Sequence, residues 1–345
     1  MTSIVRSSAC AVALVLSLVC FVRVSAQDSR EVPIDAAQPF DVWLADFVAE
    51  ARAKGYSDAV IAQTVAGLEP LERVVASDRT QAELTVTFSR YLATRMTAPV
   101  IRRGRELSRQ YRTALARIEQ TYHVQRRFVL AIWGMETRFG RVTGRTPIFQ
   151  ALATLAWEPR RADFFRAQLY DAMTIVANGY IDAPSMTGSW AGAMGQPQFT
   201  PSSYLRYAVD YDGDGRRDIW RSSTDALASI ANYLKGFGWN DEETWGREVK
   251  VTRSVREKIA DAVPVRSEGC FAMRDMTERV PLSEWRRLGV TLKNGQPLPR
   301  ATIPAALVET EDRAFLVYRN YDAILGYNCA HHYALSIALL SDRLQ

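Results

Sequence analysis

The sequence predicts a mainly α-helical protein with a small β-rich part near its C-terminal end. Apolar residues recur at helical spacing through most of residues 40–240. Caps and breakers stand at the ends of those runs, among them Gly55, Ser57, Gly179, Gly236 and the pairs Thr146-Pro147 and Thr200-Pro201. From Trp245 to about Asn320 the texture changes to alternation, as in Val249-Lys250-Val251 and Phe315-Leu316-Val317-Tyr318, with prolines at 281, 297, 299 and 304. No internal repeat or low-complexity stretch interrupts this pattern.

The chain opens with a basic residue, Arg6, an apolar run from Ala9 to Val22, and the small residues Val24-Ser25-Ala26. That arrangement is expected of a cleavable secretory signal over residues 1–26, with Gln27 beginning the mature chain. The apolar run is too short for a convincing membrane span, and no later stretch is a transmembrane candidate. Cys20 invites a lipoprotein reading, but Val19 stands where a small residue is needed, which weighs against lipid anchoring. The expected location is the periplasm. Cys10 and Cys20 leave with the signal; Cys270 and Cys329 remain, and an exported compartment permits them to pair. The formal net charge of +5 is mild and suits an acidic polymer without identifying one.

Taken in order, Phe40 to Lys54 reads as an amphipathic helix ended by Gly55, and Ser57 caps a second through Val65. A long basic helix is expected over about 102–122. Arginines crowd this region, from Arg90 and Arg95 through Arg102, Arg103 and Arg105 to Arg126 and Arg127. No base-reading motif accompanies them, so a solvated helical face is expected and nucleic acid is not a predicted partner. Thr146-Pro147 starts a helix to Trp157, and Arg161 to Asn178 is another. Thr200-Pro201 repeats the cap-proline signal. Ser223 opens a helix to Lys235, and a last helix covers about 332–344.

The stretch from Gln125 to Gly140 is apolar on more than one face, with Phe128, Ile132, Met135 and Phe139 on one stripe and Val129, Ile132 and Trp133 on another. A helix of that kind belongs in a core. Glu136 is its single acid. Burial disfavours the ionised form, so its carboxyl is expected to hold a proton near neutral pH, as a general acid must. A core glutamate satisfied by an arginine or by backbone groups is the alternative.

Gly188 to Phe199 places Gly188, Gly192, Ala193 and Gly195 close together, which lets the backbone approach a ligand or a neighbouring helix. Ser189 and Gln198 supply polar groups suited to sugar hydroxyls and acetamides. Asp210, Asp212, Asp214 and Asp218 occupy positions 1, 3, 5 and 9 of a calcium-type loop, with Gly215 at position 6. Arg221 takes the twelfth position, where glutamate is needed, and Asp225 is the nearest replacement; a plain acidic turn is the competing reading. Tyr327, Asn328 and Tyr333 combine aromatic faces with an amide, suited to sugar rings or to packing. The only histidines are His123, His331 and His332, at no metalloenzyme spacing, and neither a serine-nucleophile elbow nor a phosphate loop is present.

Together these pieces resemble the lytic murein transglycosylase B family. The resemblance rests on the run Ala131 to Gly140, Pro159-Arg160-Arg161, the Gly188–Phe199 run, Pro201-Ser202-Ser203-Tyr204 and Tyr327-Asn328. It implies a lysozyme-like helical core with an added N-terminal helical domain and a small β subdomain. The expected divisions are 27–122 for the N-terminal helices, 123–241 for the catalytic core, 242–320 for the β-rich part and 321–345 for a C-terminal helix closing the core. The implied substrate is peptidoglycan, cut between N-acetylmuramic acid and N-acetylglucosamine. By resemblance Glu136 is the single acid/base, and Arg160, Arg161, Ser189, Gln198, Tyr233, Tyr327, Asn328 and Tyr333 meet the glycan. Asp210, Asp212, Asp214 and Asp225 are the implied ligands of a structural calcium, and an extra residue before Asp225 departs from the family spacing. No cofactor is expected in the chemistry, the partners are glycan strands, and a monomer is expected.

Ordinary glycosidases need two carboxylates, one of which attacks the sugar or activates water. The implied reaction uses the muramoyl C6 hydroxyl instead, a nucleophile already tethered beside C1. Two rivals stand beside it: a hydrolytic muramidase using Glu136 with a second acid, and a non-catalytic peptidoglycan-binding protein.

Overall fold

The computed structural model describes residues 38–80 and 86–345. The expected signal segment, Gln27, Cys10 and Cys20 lie outside those residues. The chain enters as α1 (Phe40–Ala53), which buries Phe40, Leu44, Phe47 and Ala51 along one stripe. Ser57 caps α2 (Asp58–Thr64) by accepting the Val60 amide at 3.3 Å. Two short helices follow, α3 (Glu72–Thr80) and α4 (Phe88–Arg95). Neither stood out in the sequence, because each is short; α3 is anchored by the buried Val74 and Asp78, and α4 by the buried Phe88 with Tyr91 and Leu92 packed beside it.

The expected basic helix over 102–122 is in fact two, α5 (Ala98–Gln110) and α6 (Arg112–Tyr122), separated at Tyr111. Both pack on α7 (Arg126–Thr137), and the break lets each half lay its own apolar face there. The Tyr111 ring stands edge-on to Trp133 with centroids 5.8 Å apart, which holds the corner. Every residue of α7 from Phe128 to Met135 is buried, as its all-round apolar pattern demands.

Thr146-Pro147 does not cap a helix. It forms a two-residue strand, β1 (Thr146–Pro147), antiparallel to β2 (Thr187–Gly188), and Pro147 then leads into α8 (Ile148–Trp157). Next come α9 (Ala162–Ala177) and α10 (Pro201–Tyr207), where Thr200 accepts the Ser203 amide at 3.3 Å. In α11 (Ser223–Gly236) the cap is Ser222, one residue earlier than read, accepting the Asp225 amide at 3.2 Å.

The β-rich part is an antiparallel sheet of β3 (Gly246–Lys250), β4 (Val280–Pro281), β5 (Thr291–Leu292), β6 (Pro304–Glu309) and β7 (Ala314–Val317), in the order β4-β6-β7-β3-β5. Two helices unseen in the sequence, α12 (Arg253–Ala262) and α13 (Leu282–Leu288), bring Val255, Ile259 and Trp285 into one cluster with Leu307 and Leu316. The expected single closing helix is preceded by another, so that α14 (Asn320–Tyr327) and α15 (His331–Arg343) flank Asn328-Cys329-Ala330. Cys329 there forms a disulfide with Cys270, Cα atoms 6.3 Å apart, which ties the break between the two helices to the loop after α12.

Three clusters of buried side chains result among the described residues. The largest surrounds α7, with α15, α11 and α5 packed on it. A second joins α1 to α8, α9 and α10 and takes in the glycine-rich loop through Met194 and Phe199. The third belongs to the sheet and its helices.

Candidate active site

The end of α7 determines where Glu136 sits. Arg138, Phe139 and Gly140 all adopt positive φ (50°, 62° and 78°), so the chain reverses at once. The Phe139 amide returns to the Trp133 carbonyl and that of Arg138 to Gly134, which satisfies carbonyls the helix end would orphan. Gly134 makes this possible, since a Cβ there would lie 2.7 Å from the Phe139 ring. The expected stop at Gly140 is therefore the last residue of a left-handed turn that begins at Arg138.

Gln196 pins this turn to the glycine-rich loop. Its Oε1 accepts the Trp133 indole N–H at 2.9 Å, its carbonyl accepts the Thr137 hydroxyl at 2.8 Å, and its Nε2 donates to the Trp220 carbonyl at 3.2 Å. It is 4% exposed, so these bonds satisfy a polar group that would otherwise be costly to bury.

Glu136 is half-buried at the end of this scaffold. Burial drives its carboxyl pKa up from 4.5 to about 7; the Tyr333 hydroxyl, donating to its Oε1 at 2.5 Å, and the positive charge of Arg95 pull the other way. None of these influences is a second carboxylate. Tyr333 stacks on Tyr327 at 6.5 Å between centroids, Tyr327 meets Tyr233 at 4.5 Å, and Phe199 touches both Tyr327 and Tyr233. The carboxyl thus stands at the head of an aromatic row assembled from α15, α14, α11 and the glycine-rich loop. Such a group can hold a proton near neutral pH, give it up, and accept it back.

A family model, the transglycosylase SLT domain, matches residues 39–342. The chain belongs to this transglycosylase family. It is 34% identical over 252 residues to the membrane-bound lytic murein transglycosylase B of Escherichia coli (strain K12), covering 72% of this chain and 64% of that relative, so the match spans somewhat less than two thirds of the relative's length. Its structure is similar to that of SltB3 from Pseudomonas aeruginosa in complex with NAG-anhNAM-pentapeptide, at a TM-score of 0.81 and 39% identity, covering 89% of this chain and 80% of that one. It is also similar to the Escherichia coli lytic transglycosylase Slt35 in complex with calcium, at a TM-score of 0.72 and 29% identity, covering 90% of this chain and 94% of that one. The expected fold, mainly helical and lysozyme-like with a small sheet, agrees with these likenesses. Among the described residues no helix is long and apolar enough to cross a membrane.

In this chain the residues singled out from sequence fall into distinct settings. Ser189 Oγ accepts the Ala193 amide at 3.0 Å, leaving its own proton to donate. Gln198, at φ 53°, gives its amide N–H groups to the Thr143 and Gly195 carbonyls at 3.0 and 2.9 Å. Tyr327 and Tyr233 spend their hydroxyl protons on the Pro197 carbonyl at 2.7 Å and the Gly326 carbonyl at 2.6 Å. Asn328 is exposed at the break before α15. Arg160 and Arg161 make no hydrogen bond with this cluster; both hold the buried Asp78, which anchors α3 to the end of α8.

Asp210, Asp212 and Asp214 converge, each offering an oxygen within 4.8 Å of the others, and they are the carboxylates among the described residues that do so. Asp225 is not part of that cluster. It is fully buried, and its two oxygens accept the Tyr211 amide at 3.0 Å and the Asp218 amide at 2.9 Å. Three hard oxygen donors around an exposed loop fit a calcium ion, with Asp225 shaping the loop from behind.

Sequence reasoning missed Gln196, Tyr91 and Arg95. Gln196 lay inside a stretch already marked for its glycines, yet its bonds are all tertiary. Arg95 is exposed, as expected of a solvated face, and sequence did not reveal that its charge reaches Glu136 or that its guanidinium lies 4.5 Å over the Tyr91 ring.

Proposed function

We propose that this protein is a peptidoglycan lytic transglycosylase that cleaves the β-1,4 bond between N-acetylmuramic acid and N-acetylglucosamine and leaves a 1,6-anhydromuramoyl end. The observation that carries the reading is the setting of the Glu136 carboxyl, held by the Tyr333 hydroxyl at 2.5 Å at the head of the aromatic row and pushed by burial up to about 7. Protonated Glu136 gives its proton to the leaving glycosidic oxygen as the C1–O bond breaks. The C6 hydroxyl of the same muramoyl sugar closes on C1, and the ionised Glu136 takes the hydroxyl proton, which returns the enzyme to its starting state. Water adds nothing, so the loop must hold C6 near C1 and keep solvent out.

Tyr333 holds the orientation of the acid. The Tyr327 face, Asn328, Ser189 and Gln198 receive the sugars, with Tyr233 propping Tyr327 from behind. Arg160 and Arg161 line the groove further along. Calcium bound by Asp210, Asp212 and Asp214 stabilises the loop and takes no part in the chemistry. The disulfide agrees with action in an oxidising compartment, the periplasm, after removal of residues 1–26, and the protein works there as a monomer on glycan strands.

Two measurements on purified sacculi test this. Glu136→Gln keeps the shape but not the proton, and turnover is expected to fall by at least ~10²–10⁴-fold while binding persists. In ¹⁸O-labelled water the wild type is expected to release anhydro ends free of solvent oxygen. Predominantly labelled reducing ends would make it a hydrolytic muramidase, and no release at all would leave a binding protein.

A further inference from the structure

The small sheet reaches the start of α4 through the turn between β6 and β7. In that turn Glu311 Oε2 accepts the amide of Phe88, the first residue of α4, at 3.1 Å, and Asp312 Oδ2 accepts the Ser89 hydroxyl at 2.5 Å. Thr87, where a local cap would stand, makes no capping bond with its side chain, so the first amide of α4 is satisfied from 223 residues away. The turn itself is braced. Arg313 gives two hydrogen bonds to Glu248 on β3, at 3.0 and 2.7 Å, while its guanidinium lies 5.5 Å from the centre of the Phe88 ring. Phe88 is fully buried and stands edge-on to Phe315 of β7 at 6.0 Å between centroids.

The Glu311 carboxylate lies against both helices that bear on the acid. Its Oε1 is 3.8 Å from His332 Nε2, and the His332 ring meets those of Phe88 and Tyr91, with centroids 5.5 and 5.6 Å away. Tyr333, which holds Glu136, is the next residue on α15. On α4, one turn beyond Tyr91, Arg95 lines a cleft together with Met135, the residue before Glu136. A helix of eight residues has little stability of its own, so the contacts at its ends decide where its side chains stand. We propose that Glu311 is a positioning residue for the reaction: it clamps the start of α4 to α15 and so fixes Tyr91 and Arg95 beside Glu136. The proposal rests on the reading of Glu136 as the acid/base, and it gives the sheet a part in shaping the setting of that acid.

The test measures kcat, KM and the pH dependence of kcat/KM on a soluble glycan for the wild type, Glu311→Ala and Glu311→Gln. Alanine removes the acceptor, and kcat is expected to fall about tenfold, the scale of a lost charged hydrogen bond, with KM little changed. With α4 released, the Arg95 charge opposes the effect of burial on Glu136 less, so the alkaline limb is expected at higher pH. Loss of the Glu311 charge by itself would favour ionised Glu136 and move the limb the other way. Glutamine keeps an oxygen for the Phe88 amide and is expected to recover most of the rate and of the limb position. Asp312→Ala, which cuts the neighbouring bond, is expected to act in the same directions as Glu311→Ala. An unchanged kcat in both alanine variants, a loss carried by KM alone, a kcat that falls while the limb stays in place, or a glutamine variant as impaired as alanine would each overturn the assignment. A wild type that cuts nothing would refute the acid/base reading on which the proposal stands, and the proposal with it.

Discussion

At the scale of single residues, Glu136 and Tyr333 make a pair whose pH behaviour can be worked out. The folded pKa of Glu136, about 7, lies above the ordinary 4.5, so the folded protein holds this proton more tightly than the unfolded chain. Its contribution to stability is therefore present below about 4.5 and is lost as pH rises through 7. In the proposed mechanism catalysis follows the same proton, and kcat/KM on a soluble glycan should decline on an alkaline limb centred near pH 7. The Tyr333 hydroxyl stabilises the carboxylate and holds that value down, so Tyr333→Phe should shift the limb to higher pH. A limb that stays in place in a pH–rate profile of the variant would mean that this hydroxyl does not touch the reacting carboxyl.

At the scale of elements, legibility tracked how far the deciding contact lay along the chain. The α7 stretch was readable because a helix buried on every side leaves apolar residues at every phase, against which one acid is conspicuous. The caps at Ser57 and Thr200 were readable because their partners lie three residues away. The corner at Tyr111 was not, since the ring that holds it belongs to Trp133. Nor was the left-handed turn at Arg138 and Phe139, where only Gly140 advertised itself, or the work of Gln196, whose partners sit on α7 and beyond Arg217. The aspartate loop was read from its spacing, but the use of Asp225 as an internal strut depends on backbone amides that spacing does not reveal. Calcium that binds only the folded loop should raise the melting temperature as its concentration rises, by an amount equivalent to about 3 kcal/mol at a hundredfold excess over Kd. Asp212→Ala should abolish the shift in a calcium titration against a chelated control; an unresponsive wild type would remove the ion from the protein.

At the scale of the whole molecule, the Cys270–Cys329 bridge closes a long loop, with a sequence separation of 59, and fastens the sheet-bearing segment to the residue after Asn328. By the chain-entropy argument such a closure stabilises by about 4 kcal/mol. The double variant Cys270→Ser, Cys329→Ser should unfold at correspondingly lower urea, and the wild type should match it once reduced; coincident transitions with and without reductant would show that the tie is idle. Position in the chain matters in another way. Glu136 and the tyrosine that holds it are 197 residues apart, and that tyrosine lies on α15. A chain leaving the ribosome carries the acid long before it carries the hydroxyl, and a chain stopped short of residue 331 never acquires it. The setting of Glu136 is thus completed only once the segment carrying Tyr333 has been made, well after the acid itself.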